Sequence, residues 1–235
     1  MTDYYYKYIK YKTRYLELRS KSIDDSSNES IRDPELIGGA KKYPVIHISG
    51  PSGAGKTTLG NKLKYKYNEK IVVKDIDDLR YDFIKKEYKN FKIDKWNADK
   101  YQKFIDEFVK KHNKKPIIFV GLNHMPWWNK NLYYDMHPKY KYYIKLSNDI
   151  IFEQKCIRFT NGVFVKNKND LIKKIKNNEN DTIKNISKAF KDECSYEKIT
   201  KMNEIWNLNY KKQGYKFLSR DKIFDEVCEI LNDVL

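Results

Sequence analysis

From residue 43 the chain alternates short apolar runs with longer stretches whose apolar positions recur every three or four residues. The short runs are Val45-Ile46-His47-Ile48-Ser49, Ile71-Val72-Val73-Lys74, Ile117-Ile118-Phe119-Val120, Tyr142-Tyr143-Ile144-Lys145-Leu146 and Tyr215-Lys216-Phe217-Leu218. Rich in β-branched and aromatic residues and bounded by turn formers such as Pro116 and Gly121, they read as five strands. Helical periods fill residues 56–68, 78–88, 98–112 and 221–235. The 98–112 helix turns Tyr101, Phe104, Ile105 and Phe108 to one side, and the last helix does the same with Ile223, Val227, Ile230 and Leu231. Strands separated by helices predict an α/β layout with a mostly parallel sheet and crossover connections. Residues 147–211, rich in Lys and Asn, read as mostly helical with no clear strand, and no internal repeat is visible.

Ahead of this domain, Tyr and Lys alternate densely over residues 1–20, and Tyr4, Tyr8, Tyr11 and Tyr15 keep the spacing of one helix face. Residues 20–42 then turn polar and contain Gly38-Gly39, the composition of a flexible linker. The expected organisation is a Tyr/Lys-rich helix and linker over 1–42 and one domain over 43–235, with a helical lid insertion at about 147–211. The arm resembles the Tyr/Lys-rich leader and Gly-Gly spacer of many proteins of giant DNA viruses. An aromatic, basic helix can dock on a partner or stack on single-stranded nucleic acid.

Between the first strand and the first helix stands Gly50-Pro51-Ser52-Gly53-Ala54-Gly55-Lys56-Thr57, followed by Thr58. This is a complete G-x-x-x-x-G-K-[ST] phosphate-binding loop in the strand-loop-helix setting that the motif requires. Its glycines let backbone N–H groups wrap a phosphate, Lys56 brings a point charge to the terminal phosphates, and the Thr57 hydroxyl is placed to hold Mg²⁺. ATP and Mg²⁺ are therefore the expected cofactors. A turn that merely starts a helix would not need the loop, the lysine and the threonine together.

Phosphate loops serve ATPases, switches and kinases alike, so the reaction has to be read elsewhere. Lys74-Asp75-Ile76-Asp77-Asp78-Leu79-Arg80 lies at the carboxyl end of the second strand, where open α/β sheets place their ligands. One carboxylate there can accept the proton of an attacking hydroxyl, another can orient Mg²⁺, and Arg80 can grip an acceptor's phosphate. Helix capping by Asp77 or Asp78 is the competing explanation, and one cap does not need three acids.

At these residues, roughly 45–80, the chain resembles the P-loop kinases with an acidic site after strand two. D-x-D-x-x-R is similar to adenylylsulfate kinases and D-D-x-R to polynucleotide 5′-kinases; zeta-type toxin kinases and chloramphenicol phosphotransferases have similar acidic sites. The resemblance implies a P-loop NTPase three-layer fold. It implies Asp77 as general base and Arg80 as acceptor-phosphate contact in one alignment, and Asp75 as base in the other; Asp77, with Thr57, is also a candidate for the metal.

Strand three ends in Val120-Gly121, where nucleoside monophosphate kinases end in Asp-Gly, so the magnesium carboxylate of that group is missing. The loop Leu122-Asn123-His124-Met125-Pro126-Trp127-Trp128-Asn129 leaves the same edge, which makes Asn123, His124 and Trp127 candidate acceptor contacts, against a packing role for the tryptophans. Arg158 stands alone among arginines between Arg80 and Arg220, at the place where related kinases carry a lid arginine. Ser219-Arg220 lies where such kinases hold adenine.

Composition changes this picture little. The 235 residues carry a formal charge of +16, which draws in nucleotides and keeps nucleic acid a candidate partner. The excess comes with abundant Tyr, Asn and Ile along the whole chain, which is also what A+T-rich coding produces. Cys156, Cys194 and Cys228 are far apart and show no zinc spacing. No run of eighteen apolar residues and no apolar leader occurs, so a soluble, intracellular protein is expected, in the host cytoplasm if viral, not secreted and without membrane contact. The expected activity is ATP-dependent transfer of the γ-phosphate to a hydroxyl of a nucleotide, nucleoside, nucleic-acid 5′ end or small metabolite. The alternative is a P-loop ATPase or nucleotide-binding protein without kinase activity.

Overall fold

Strand β1 (Val45–Ser49) alternates between two different environments, and the layers of the fold follow from it. Ile46 and Ile48 face one side, His47 and Ser49 the other, and all four are buried. A computed structural model describes residues 43–88, 96–125, 129–158 and 196–235, without the side chains at 125, 129–131 and 155–158. The helix and linker expected over residues 1–42 and Trp127 lie outside the described residues, as does most of the 147–211 insertion.

The main sheet has five strands in the order β2-β3-β1-β6-β7, all parallel: β2 (Val72–Asp75), β3 (Ile117–Val120), β6 (Tyr140–Ile144) and β7 (Lys216–Leu218) flank β1. Helices α1 (Lys56–Tyr67) and α6 (Arg220–Val234) cover the Ile46/Ile48 face, where Leu59, Leu63, Val227 and Leu231 pack with Ile118, Val120 and Ile144. Gly60 lets α1 come close: a Cβ there would stand 3.1 Å from methyls of both Val73 and Val120. Tyr67 ties the two helices, its hydroxyl donating to Cys228 O and Asn232 Oδ1.

The opposite face is aromatic. Helix α3 (Ala98–Lys111) sets Phe108 on Phe119, and α5 (Tyr196–Lys212) sets Tyr210 on Tyr143, ring centroids 4.9 Å apart. Tyr215 joins that cluster and donates its hydroxyl to His47 Nδ1, while His47 Nε2–H donates to Gly121 O at 3.0 Å. Two helical layers around a parallel sheet make the three-layer P-loop NTPase fold expected from the sequence.

Three local differences have physical causes. Strand β2 ends at Asp75 rather than Lys74, and helix α2 (Ile76–Glu87) follows with no loop, because Asp75 is both the last strand residue and the helix N-cap. The helix cap, considered as a competing role for Asp77 or Asp78, is made by Asp75 instead, two residues before Asp77: Asp77 N–H donates to Asp75 Oδ1 at 2.9 Å. Second, β6 begins at Tyr140, two residues before the apolar run, because Ile46 pairs with Tyr140 across the register. Third, His124–Met125 (β4) and Asn129–Tyr133 (β5) form an antiparallel pair outside the main sheet. Within the insertion, α4 (Asn148–Arg158) packs on α5, with Tyr196 donating to Asp149 Oδ1 and Asn203 Nδ2 to Asn148 Oδ1.

Candidate functional site

The loop over residues 50–57 rises from the carboxyl end of β1 because its glycines take conformations other residues avoid. Gly53 has φ +90° and Gly55 φ +80°, and Gly55 is the N-cap of α1 in the left-handed region. Ala54 N–H closes a turn onto Pro51 O at 3.2 Å, and Leu59 N–H begins the helix on Gly55 O at 2.9 Å. Lys56 curls over the loop, its Nζ donating to Gly50 O at 2.9 Å and Pro51 O at 2.8 Å. Gly50 is buried against Ile144, with room there for no side chain. Thr58 is exposed and lines an open hollow with Tyr65 and Phe224 on the outer surface of α1.

Thr57 Oγ1 donates to Asp75 Oδ2 at 2.9 Å. The two residues are 18 apart in sequence and come from the loop after β1 and the end of β2. Asp75 therefore uses one carboxylate oxygen to start α2 and the other to hold the loop's threonine. Between them lies the end of β3, where Val120 pairs with Asp75 in register and carries no carboxylate.

Asp77 sits two residues on and is half exposed. Its Oδ1 accepts from Arg80 Nη1 at 2.8 Å, an i,i+3 ion pair. Arg80 was expected at an acceptor's phosphate. Its side chain is 7% exposed, and Nη2 donates to Leu122 O at 3.2 Å and His124 O at 3.4 Å. It braces the connection from β3 to β4 against α2. Metal pairing was expected between Thr57 and Asp77; the acid in contact with Thr57 is Asp75.

Asn123 and His124 are buried under this connection rather than open to an acceptor. Asn123 Nδ2 donates to Tyr134 O at 2.8 Å, and its Oδ1 accepts from the Tyr210 hydroxyl at 2.8 Å. His124 stacks on Tyr133 and meets the edge of Trp206, and its Nδ1 is buried with no hydrogen-bond partner among the described residues. Burial, aided by the Arg80 charge, lowers its pKa to about 4. His47 is also lowered to about 4, by burial and by Lys56 and Lys141, against the opposing pull of Gly121 O.

Two polar side chains from later elements close on the loop. A Cβ at Gly53 would meet Gln154 Oε1 of α4 at 2.7 Å, and one at Gly55 would meet Arg220 Nη1 of α6 at 3.0 Å. Neither contact was legible as such: Gln154 precedes Arg158 by one helical turn in a run rich in charged residues, and Ser219-Arg220 was placed at the adenine rather than at the phosphate loop. Arg158 ends α4, and its side chain is outside the described set. Among the described residues no group of three His, Cys, Asp or Glu is arranged to hold a metal, and no helix is long and apolar enough to cross a membrane.

The model of the KAP family P-loop domain matches residues 21–192, well over half of the chain, and begins within the segment read as a linker. No curated protein matches. Among solved structures, the crystal structure of APE1195 is 16% identical over 66% of this chain and 80% of its own, with a TM-score of 0.32. Shikimate kinase from Bacteroides thetaiotaomicron is 15% identical over 63% of this chain and 96% of its own, with a TM-score of 0.31. Likenesses this distant assign no activity.

Proposed function

The chain belongs to the KAP family of P-loop domains, and within that family we propose, from its acidic site, that it is an ATP-dependent phosphotransferase acting on a hydroxyl acceptor. The observation that carries the reading is the acidic edge of β2: Asp75 on the Thr57 hydroxyl and Asp77 beside it, with no carboxylate at the end of β3. In this reading residues 43–235 form the phosphotransferase domain and 1–42 a separate arm.

The oxygen donors fit Mg²⁺. A hydroxyl and a carboxylate are hard ligands, and a magnesium ion that keeps its remaining positions for phosphate oxygens and water needs few protein groups. Thr57 would hold it directly and Asp75 would fix the hydroxyl and the ion's waters; when bound, Mg²⁺ neutralises charge on the β- and γ-phosphates. Lys56 leaves the carbonyls of Gly50 and Pro51 for the β/γ-phosphates, a move of its flexible stem.

Asp77 takes the acceptor. Its carboxylate orients the hydroxyl and accepts its proton as the acceptor oxygen bonds to the γ-phosphorus and the bond to the bridging oxygen of ADP breaks. Arg80 positions that carboxylate through the ion pair. Arg158, at the end of α4, is our candidate for charge on the transferring phosphoryl group, and Trp127 for an acceptor contact, both on sequence position alone. Asn123 and His124 shape the wall behind the site.

A second reading, acceptor-independent hydrolysis by a P-loop NTPase, is favoured by the family match alone. An ADP-release screen of nucleosides, nucleotides, 5′-hydroxyl oligonucleotides and sugars separates the two. Release that rises at least tenfold with one acceptor class supports transfer, and equal release with and without every acceptor sinks it.

A further inference from the structure

Gln154 is partly buried, and one end of its carboxamide lacks a bond. Its Oε1 is shielded from solvent and has no hydrogen-bond partner among the described residues. Such an atom costs about 1–3 kcal/mol relative to a bonded one. It also stands at a particular place: a methyl at Gly53, the centre of the phosphate loop, would lie 2.7 Å from Oε1 and 3.0 Å from Gln154 Cβ. The glycine is what lets α4 approach this closely.

A side chain that only filled space here would do so better as Leu or Met, which bring no unpaired acceptor. A carboxamide has a second face. Its oxygen and nitrogen ends are nearly the same shape, and the terminal torsion is broad, so a half-turn exchanges Oε1 for Nε2–H₂. That turn sacrifices no bond made by Oε1. It presents two N–H donors beside Gly53 of the phosphate loop, whose backbone N–H groups are the loop's own anion donors.

We infer that Gln154 is a phosphate-contacting residue of the nucleotide site, donating from Nε2 to the nucleotide's phosphate chain over Gly53. The inference rests on the loop binding nucleotide, as proposed above. It gives α4 a direct contact with the phosphates, in addition to whatever Arg158 supplies one turn later.

The full chain, Gln154→Leu and Gln154→Glu are titrated with Mg-ATP and, separately, with inorganic tripolyphosphate by calorimetry, and their ligand-free melting temperatures are recorded. Loss of one hydrogen bond to a charged group should weaken both ligands about tenfold in Gln154→Leu. A carboxylate facing phosphate should weaken them roughly a hundredfold in Gln154→Glu. The ligand-free Leu variant should melt at or above the parent temperature, because a buried orphan acceptor is gone. A parent chain that binds both ligands, with variants that bind them equally well, overturns the inference while leaving the nucleotide site intact. So does a Leu variant whose ligand-free melting temperature and affinity fall together, which marks a packing residue. A parent chain that binds neither ligand removes the nucleotide site and this contact with it.

Discussion

Acid should unfold this domain through two histidines that no solvent reaches. His47 is fully buried with its Nε2–H on Gly121 O and its Nδ1 accepting from Tyr215, so both ring nitrogens are committed in the neutral form. His124 is 2% exposed, close to the Arg80 guanidinium. Both pKa values fall from 6.5 to about 4 on folding. Above pH 6.5 each is neutral folded or unfolded and neither affects stability. Between 6.5 and about 4 the unfolded chain takes up protons that the folded one refuses, so stability drops as pH falls and levels off below about 4. Each histidine accounts for about 3 kcal/mol across that window, and the pair for about 6. That is comparable with the whole stability of an ordinary domain, 5–15 kcal/mol. Urea unfolding followed by tryptophan fluorescence at pH 7.5, 6, 5 and 4.5 measures the loss. Comparison with His124→Phe, which keeps a ring against Tyr133 but does not titrate, cancels contributions from carboxylates and from net charge. The variant should lose roughly half of the parent's pH dependence. An identical slope in the two proteins would refute the account.

Lys56→Ala should abolish phosphoryl transfer and weaken ATP binding, since its charge acts on the β/γ-phosphates where water is excluded; unchanged turnover and affinity would remove the loop from the site. Asp77→Asn should keep ATP binding and lower kcat by roughly 10²–10⁴-fold, whereas Asp75→Asn, which can still cap α2, should raise the Mg²⁺ concentration needed for half-maximal rate. If Asp75→Asn shows the larger kcat loss with unaltered Mg²⁺ demand, the two roles are reversed. Gly60→Ala should lower the melting temperature by several degrees despite the better helix former, because overpacking against Val73 and Val120 costs about 1–3 kcal/mol. Adding Val73→Ala should recover most of that loss, and no recovery would place the strain elsewhere.

What the sequence made legible is what is built from contiguous chain. The phosphate loop is one such piece. Strands β1 and β3 are others, since Ile46 and Ile48 are buried in a short β-branched run and all of Ile117–Val120 is buried and reads as an unbroken apolar run. The strand was ended one residue early and the helix begun two residues late at the β2–α2 junction, because Asp75 ends a strand, caps a helix and holds Thr57 at once, and only the first two are local. Strands β4 and β5 escaped notice since Asn129–Tyr133 is polar and pairs for tertiary reasons. The burial of Arg80 was not legible because its partners, the carbonyls of Leu122 and His124, are 42 and 44 residues away. Burial of Asn123 likewise depends on Tyr134 and Tyr210, and no window around Asn123 contains both.

The missing acid at the end of β3 and the acid at the end of β2 are one arrangement. In the order β2-β3-β1, a carboxylate on β2 reaches the phosphate loop only across the end of β3. Val120, opposite Asp75 in register, turns into the core on Gly60, so it leaves that path clear. Gly121 then takes φ +139°, and a Cβ on it would strike Ile76 Cβ at 3.0 Å. Ile76 is the first residue of α2, fully buried, so the bare Gly121 is what allows the start of α2 to settle against the turn after β3. That seating holds the Asp75 carboxylate within 2.9 Å of Thr57 and sends Asp77 to the same edge. A side chain at residue 121 would lift α2 and part Asp75 from Thr57, and the acidic edge would lose its hold on the loop. The Val-Gly pair that looked like a lost motif is thus the space through which Asp75 reaches Thr57.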